Sequence, residues 1–267
     1  MRFELHCHST CSDGTEPAAR VATRAAERGV DVFALTDHDT CEATGLPVAG
    51  ARSIRGVEVT CEENGRTIHL LVYDRGHGLA PVEARLGATR AARVNRLRVM
   101  AARLAQRGVT IDVEPLLAVA ATRSVGRPDL ARAMVAAGVV TSMKEAFSRH
   151  LYDGGPVDVK HQALPLVDAL ALGRECDAAM ALAHPHLYDE RSAPMARKYR
   201  AAGLTGIEAC YGVYDARERK RWIEVADANG LVCTGGSDWH GPDEAQAQPG
   251  VDFDEPRSAA LATWLGL

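Results

Sequence analysis

Several features are missing from this 267-residue sequence, and each absence narrows what it can be. No block of like charge is long enough to form a tail for long duplex DNA or RNA, and the formal net charge is only −4 with a pI near 6.2. No run of eighteen apolar residues occurs, and the start of the chain lacks a basic stretch followed by an apolar one. A membrane span and a secretory leader are therefore not expected, and the cytoplasm is the expected location. Neither an internal repeat nor a low-complexity tract is evident. The seven cysteines are odd in number and scattered through a chain large enough to bury a core without crosslinks, so free thiols are expected rather than a disulfide framework.

What is present is an alternation of short apolar runs with longer Ala/Arg-rich segments of helical period, the pattern of a βα-repeating fold. Seven strands are predicted, at 3–7, 31–36, 54–60, 67–73, 178–184, 205–210 and 231–236. A first helix is marked by Pro17 in its opening turn, by Ala18, Val21, Ala22 and Ala25 on one face, and by Gly29 as its stop. Residues 77–177 are too long for a normal crossover and read as helical, so an inserted helical subdomain is expected over 86–160, with a barrel domain made of 1–85 and 161–267. Its landmarks are the stripe Val94, Leu97, Ala101 and Leu104 ending at Gly108, a helix opened by Pro128, and a capping box from Ser142 to Glu145.

Chemistry-bearing residues collect at the ends of the predicted strands, where αβ barrels gather catalytic groups. His6 and His8 end the first; Asp37, His38 and Asp39 follow the second; Glu58 lies near the end of the third. His184 and His186 end the fifth, Glu208 the sixth, and Ser237, Asp238 and His240 follow the seventh. His69 comes early in the fourth run, but a hairpin through Asn64 and Gly65 would return it to the same rim. His6 and His8 alternate with Cys7, so both imidazoles face one side of a strand and the thiol faces the other. A thiolate zinc site from Cys7 and Cys11 has no matching cysteine pair, whereas His77, His150 and His161 read as ordinary polar side chains. Imidazoles and carboxylates without thiolates suit Zn²⁺, Mn²⁺ or Fe²⁺. So many ligands imply two or three ions sharing a bridging carboxylate, for which Glu58 is placed mid-cluster. Such a centre makes hydroxide from a bridging water and neutralises phosphoryl charge, which is hydrolytic chemistry.

The segments "HCHSTCSDGT", "ALTDHDT", "GVEVTCEENGRTIHLLVYD", "LAHPH" and "GGSDWH", in register from Leu5 to His240, resemble the PHP (polymerase and histidinol phosphatase) superfamily of metal-dependent phosphoesterases. The resemblance implies an α/β fold, a distorted seven-stranded (β/α)7 barrel with a di- or trinuclear centre. It implies as metal ligands His6, His8, Asp13, His38, Glu58, His69, His184, Asp238 and His240, of which Asp13, the aspartate of "SDG", is supplied by the resemblance alone. Asp13, Glu58 and His240 are the residues expected to serve catalysis around a metal-bridging hydroxide.

The insertion and its "SVGRPDLARAMVAAG" segment resemble small bacterial nucleotide phosphatases that act on nucleoside 3′,5′-bisphosphates and are related to a short-RNA exonuclease. In that branch an arginine of "GRxH" and a lysine after the insertion contact phosphate; Arg127 and Lys160 match them, a planar fork and a point charge. The histidine of that motif is replaced here by Asp129, which the dipole would favour near a helix N-terminus. His186 and Tyr211 are expected to shape the pocket, with His186 a possible proton donor to the leaving oxygen. The expected substrate is a small phosphorylated metabolite, a nucleotide above all, with no long nucleic acid, membrane or obligate protein partner. Alternatives are a phosphodiesterase on cyclic or short oligonucleotide phosphates, a histidinol-phosphate phosphatase, and a non-catalytic metal-binding regulatory module, the last opposed by the complete set of ligand positions.

Overall fold

The computed structural model describes residues 1–121, 123–243 and 247–267. In chain order the elements are β1 (Arg2–Glu4), α1 (Ala18–Glu27), β2 (Val32–Phe33), β3 (Arg52–Ser53), β4 (Gly56–Glu63) and β5 (Arg66–Tyr73). Four helices follow: α2 (Ala80–Ala105), α3 (Glu114–Ala118), α4 (Arg127–Ala136) and α5 (Met143–Arg149). The chain then returns through β6 (Leu164–Pro165), α6 (Leu166–Glu175), β7 (Ala179–Leu182), a 3-10 turn at Pro185–Arg191 and α7 (Ser192–Arg200). It closes with β8 (Gly206–Glu208), α8 (Ala216–Asn229), β9 (Val232–Thr234), β10 (Val251–Asp252) and α9 (Glu255–Trp264).

The fold is mixed α/β, with two sheets ordered β10-β1-β2-β3 and β6-β4-β5-β7-β8-β9. Hydrogen bonds join them at two seams. On one, the Leu5 amide donates to the Gly235 carbonyl at 3.3 Å and Cys7 pairs with Trp239; on the other, the Glu58 amide donates to Thr36 at 3.2 Å and His38 pairs with Glu58. All seven expected strands appear, at shifted bounds, and β3, β6 and β10 are short additions. A regular βα barrel has parallel strands throughout, but β5 runs antiparallel to both β4 and β7. The reason is local: Asn64 and Gly65 take φ of +53° and +78°, the paired left-handed conformation of a two-residue hairpin turn, so β5 returns directly beside β4 with no crossover helix.

The described residues form separate hydrophobic clusters. The largest lies between the sheet strands and helices α6 to α9, with Tyr73, Leu70, Leu182, Ile207 and Trp222 fully buried. A smaller one, under α1, holds Cys7, Val21, Phe33 and Trp239. Another is built by the helices between β5 and β6, from Leu97, Met100 and Leu104 of α2 with Leu130 and Met134 of α4 and Leu151 and Val157. Helix α2 belongs to both: Val82 and Leu86 pack into the main core, whereas the residues from Leu97 onward pack away from it. The stripe expected for this helix is buried or half-buried on that second cluster, and Gly108, at φ +80°, lies just beyond the helix end. Ser142 caps α5 by accepting the Glu145 amide at 3.2 Å, while the Glu145 carboxylate reaches back to the Thr141 amide at 2.7 Å. Among the described residues no helix is long and apolar enough to cross a membrane, and all seven cysteines are free thiols.

Candidate metal centre

The nine residues expected as ligands come together at the strand ends. They form four overlapping groups, each with ligand atoms within 4.8 Å of one another: His8, Asp13, His38 and His240; His6, Glu58 and His184; His6, His8 and Asp238; His38, Glu58 and His69. Glu58 occupies the middle. Its Oε1 lies 3.0 Å from both His69 and His184 and 3.3 Å from His6, and its Oε2 lies 3.0 Å from His38 and 3.2 Å from His8. Asp13 faces His240 at 3.3 Å and His38 at 3.6 Å, and Asp238 stands 3.2 Å from His8 and 3.3 Å from His6.

Local backbone explains how the short strands aim these groups. His6 and His8 lie beyond β1 with Cys7 between them, and alternation sends the imidazoles to the centre while Cys7 Sγ turns into the α1 core, 3.5 Å from the Ala34 carbonyl. Gly14 lets the Asp13 loop fold back, since a Cβ there would stand 2.6 Å from the His8 carbonyl oxygen. Asp39, His184 and Asp238 all take positive φ, a conformation costing on the order of 1–3 kcal/mol for a non-glycine residue. Each is held there by a hydrogen bond from its own amide: Asp39 to the Glu58 carbonyl at 2.9 Å, His184 to the Glu208 carboxylate at 2.7 Å, and Asp238 to the His6 carbonyl at 2.7 Å.

Outer partners fix the rings. Glu208 lies 2.9 Å from His6 Nδ1, leaving Nε2 toward the centre; the Tyr188 hydroxyl sits 3.1 Å from His184 Nδ1; the Asp238 carbonyl sits 2.9 Å from His240 Nδ1. Tyr188 also accepts the His69 amide at 2.9 Å. Glu208 was recognisable as a rim residue in the sequence, but its role as a holder of His6 and His184 needed the fold. Tyr188 carried no sequence signal, because it reaches the centre from the 3-10 turn rather than from a strand end.

At His6, His8, His240, Asp13, Glu58 and Asp238 burial opposes charge, and mutual attraction overrides it. Burial would lower His8, but the carboxylates of Asp238 and Glu58, each 3.2 Å from its Nε2, push it up to about 10, and Glu208, Asp238 and Glu58 likewise raise His6. Against the same burial, His38 and His240 hold Asp13, and His38 and His6 hold Glu58, well below the carboxylate range. At His69 burial wins and drives it down to about 4. His6 Nε2, His8 Nε2, His38 Nδ1 and Glu58 Oε2 are buried and, among the described residues, lack a hydrogen-bond partner despite their close approach. Buried polar atoms left without partners are costly, so lone pairs converging on one point without bonding one another fit a cation between them. Imidazole and carboxylate donors without a thiolate match a divalent ion.

Beside this centre lies a cavity of about 790 Å³, lined by Arg127 and Lys160 together with Arg96, His161 and Tyr188, and reaching the β4–β5 hairpin. Arg127 pairs with the exposed Asp153 at 2.5 Å and lies over the Phe147 ring. His161, expected to be an unremarkable polar side chain, is half-buried in this wall, and neither ring nitrogen has a hydrogen-bond partner among the described residues. Burial, with Arg93 and Arg96 nearby, lowers it to about 3. His186 and Tyr211 meet beside His184, ring centroids 5.1 Å apart; His186 Nδ1 lies 2.8 Å from the Tyr214 hydroxyl and Tyr211 donates to Asp238 at 2.8 Å. Asp129 points neither to the cavity nor to solvent. It accepts the Gly126 amide at 2.8 Å at the start of α4 and pairs with Arg123 at 2.5 Å.

No family model matches the chain. A 3′,5′-nucleoside bisphosphate phosphatase of Chromobacterium violaceum is 32% identical over 95% of this chain and 92% of its own length. The chain belongs to the PHP superfamily of metal-dependent phosphoesterases. Two other relatives of this PHP enzyme span nearly the whole chain. A phosphoribosyl 1,2-cyclic phosphate 1,2-diphosphodiesterase of Eggerthella lenta is 31% identical over 90% of this chain and 95% of its own. A 5′-3′ exoribonuclease of Haemophilus influenzae is 32% identical over 90% of each. A solved structure from Bifidobacterium adolescentis, described as a metal-dependent phosphoesterase, superposes with a TM-score of 0.83 over 98% of this chain and 96% of its own at 25% identity. The PHP chain is thus a hydrolase of phosphoric ester bonds that depends on divalent metal.

Proposed function

We propose that this phosphoesterase removes a phosphoryl group from a small nucleotide, a nucleoside 3′,5′-bisphosphate or a 5′-monophosphate, at the cluster centred on Glu58. The observation that carries the reading is the cation-lined cavity adjoining the cluster: Tyr188 lines the cavity and also touches His184 and His69, so an anion against Arg127 and Lys160 lies next to the centre. His6, His8, Asp13, His38, Glu58, His69, His184, Asp238 and His240 would hold two or three ions of Zn, Mn or Fe, with Glu58 shared. Metal bound there would supply a nucleophilic hydroxide at neutral pH and offset charge on the phosphoryl oxygens.

The chain's own residues supply the rest. Arg127 and Lys160 capture phosphate and orient it, which converts a bimolecular encounter into a positioned one. Asp13 and Glu58, held ionised by the surrounding imidazoles, keep the centre anionic. His240, anchored through Nδ1 and facing Asp13 through Nε2, serves as a ligand, and His186, outside the ligand set with Nδ1 2.8 Å from the Tyr214 hydroxyl, is placed to hold a proton for the departing alkoxide. The helices of 86–160, with a hydrophobic cluster of their own, act as a cap over the substrate. The two hydrogen-bonded seams between the sheets support a closed, distorted seven-stranded barrel, β1-β2-β4-β5-β7-β8-β9, as the scaffold.

A second reading, cleavage of a cyclic or oligonucleotide diester, is favoured by the size of the cavity, which extends from Arg127 and Lys160 as far as Arg66 of the hairpin. Phosphate release by metal-loaded protein from nucleoside 3′,5′-bisphosphates, 5′-mononucleotides, histidinol phosphate, cyclic phosphates and short oligonucleotides decides between them. Fastest turnover of a bisphosphate or monophosphate is expected. A preference for diesters would replace this reading with the second, and no turnover of any substrate would leave a metal-binding module.

A further inference from the structure

The loop that carries Asp13 is gripped by the helical insertion. Arg123 and Arg132 come from the segment leading into α4 and from α4 itself, and each sends a guanidinium Nη2 to a backbone carbonyl of that loop, Arg123 to Ser12 and Arg132 to Asp13. Both guanidiniums also meet Asp129, Arg123 at 2.5 Å and Arg132 at 3.5 Å. Asp129 is 4% exposed, and its second oxygen accepts the Gly126 amide at 2.8 Å, which anchors it to the helix start. A backbone bond from the Ser124 amide to the Cys11 carbonyl, 2.9 Å, completes the grip. The Asp13 side chain is thereby held toward His240 and His38 by contacts its own strand does not supply.

We propose that Asp129, acting through Arg123 and Arg132, is a positioning residue for Asp13, so that the insertion sets the geometry of the metal centre as well as lining the cavity. The physical case is one of charge and aim. A buried carboxylate between two guanidiniums fixes their planes, and each fork then has N–H groups left to clamp a carbonyl. Without that charge the two cations lose their common anchor, leaving the Asp13 loop to its internal bonds from the Ser12 and Gly14 amides to Ser9, each 3.0 Å, and to the flanking bonds of the Ser12 hydroxyl to Asp37 at 2.5 Å, the Thr15 amide to the His240 carbonyl at 2.7 Å and the Ser124 amide to the Cys11 carbonyl at 2.9 Å, none of which touches the Asp13 residue itself. The position at which this chain departs from the "GRxH" motif of its branch thus holds a buried structural anion, turned inward to a loop rather than outward to phosphate.

The inference rests on the assignment of Asp13 to the centre, and the experiment separates the two. Asp129→Asn keeps the size and an acceptor for the Gly126 amide while removing the charge. In metal-loaded protein kcat is expected to fall roughly 10- to 100-fold, the range seen when an outer partner of a metal site is lost, with KM changed by less than about threefold. Hydrogen exchange should quicken at the Ser12 and Gly14 amides while the amides of α4 and α1 keep their protection, and Asp129→Glu should recover part of kcat. Arg132→Lys, which keeps charge but loses the fork, should show the same pattern more weakly. Wild-type kcat with wild-type exchange in Asp129→Asn would overturn the proposal, as would a loss of protection spread through α4, which marks a merely structural role. Should Asp13→Ala keep full turnover, the assignment of the centre fails, and the exchange response still reports whether Asp129 orders the loop.

Discussion

The metal-binding rim and the cation-lined cavity beside it are built on opposite plans. On the rim, His6 and His8 are fully buried, Glu58 is 1% exposed, and the rings of His6, His184 and His240 are held by Glu208, Tyr188 and the Asp238 carbonyl. In the cavity, Lys160 is exposed and Arg127 leans on Asp153, whose side chain is 83% exposed. Ligands for a small cation must agree to a fraction of an ångström, which demands rotamers locked by packing and outer hydrogen bonds. A phosphate arriving from water needs charge and reach, which flexible side chains at a wet surface supply. Activity should therefore break steeply on the rim and gradually in the cavity.

The largest effect should come from the rim. Asp13→Ala or His38→Ala should lower kcat by on the order of 10³-fold, measured as phosphate release with saturating metal. A chelator should likewise lower the melting temperature of wild-type protein, with recovery on adding Mn²⁺ or Zn²⁺, because ligand that binds the folded chain stabilises it by mass action. Glu208→Gln should be intermediate, about 10- to 100-fold in kcat with reduced metal content per chain, since the His6 ring keeps its place but loses a charged partner. In the cavity, Arg127→Ala should raise KM on the order of tenfold and leave kcat near its original value, the loss of one charge-assisted contact. An Arg127 variant that lost kcat with KM unchanged would erase the contrast between the two regions.

The smallest effect lies far from both, at α5. The Thr141 amide, then the Thr141 hydroxyl and Arg149, hold the Glu145 carboxyl at about 2, below its unfolded range. A depressed carboxylate stabilises the fold above its unfolded pKa, and that contribution disappears as pH falls through the folded value. Melting curves should show Glu145→Gln slightly less stable than wild type at neutral pH, with the difference vanishing toward pH 2.

Much of the centre could be read in the sequence because strand alternation and strand-end placement are local rules. The pair His6 and His8, the outward turn of Cys7, and the return of His69 through the Asn64–Gly65 hairpin all follow from residues close in the chain. Asp13 escaped that logic, since it lies in a loop whose fold-back depends on Gly14 and on arginines more than a hundred residues away. His161 escaped it as well: nothing in its neighbours along the chain announces a cavity wall formed by α2, α7 and the hairpin. The antiparallel course of β5 was implicit in its own turn, yet it conflicts with the uniformly parallel barrel that the repeating pattern implies.

By itself the sequence determined which side chains are available and, through period-two alternation and turn chemistry, which way most of them face on their own elements. Tertiary structure alone decided that Glu58 stands among five imidazoles, that Glu208 and Tyr188 lock the rings, and that Asp129 reaches the Asp13 loop through two guanidiniums. The physical reason is range. Backbone preference acts over a few residues, whereas ligand convergence depends on hydrogen-bonded seams and packed helices that join segments as distant as Asp13 and His240.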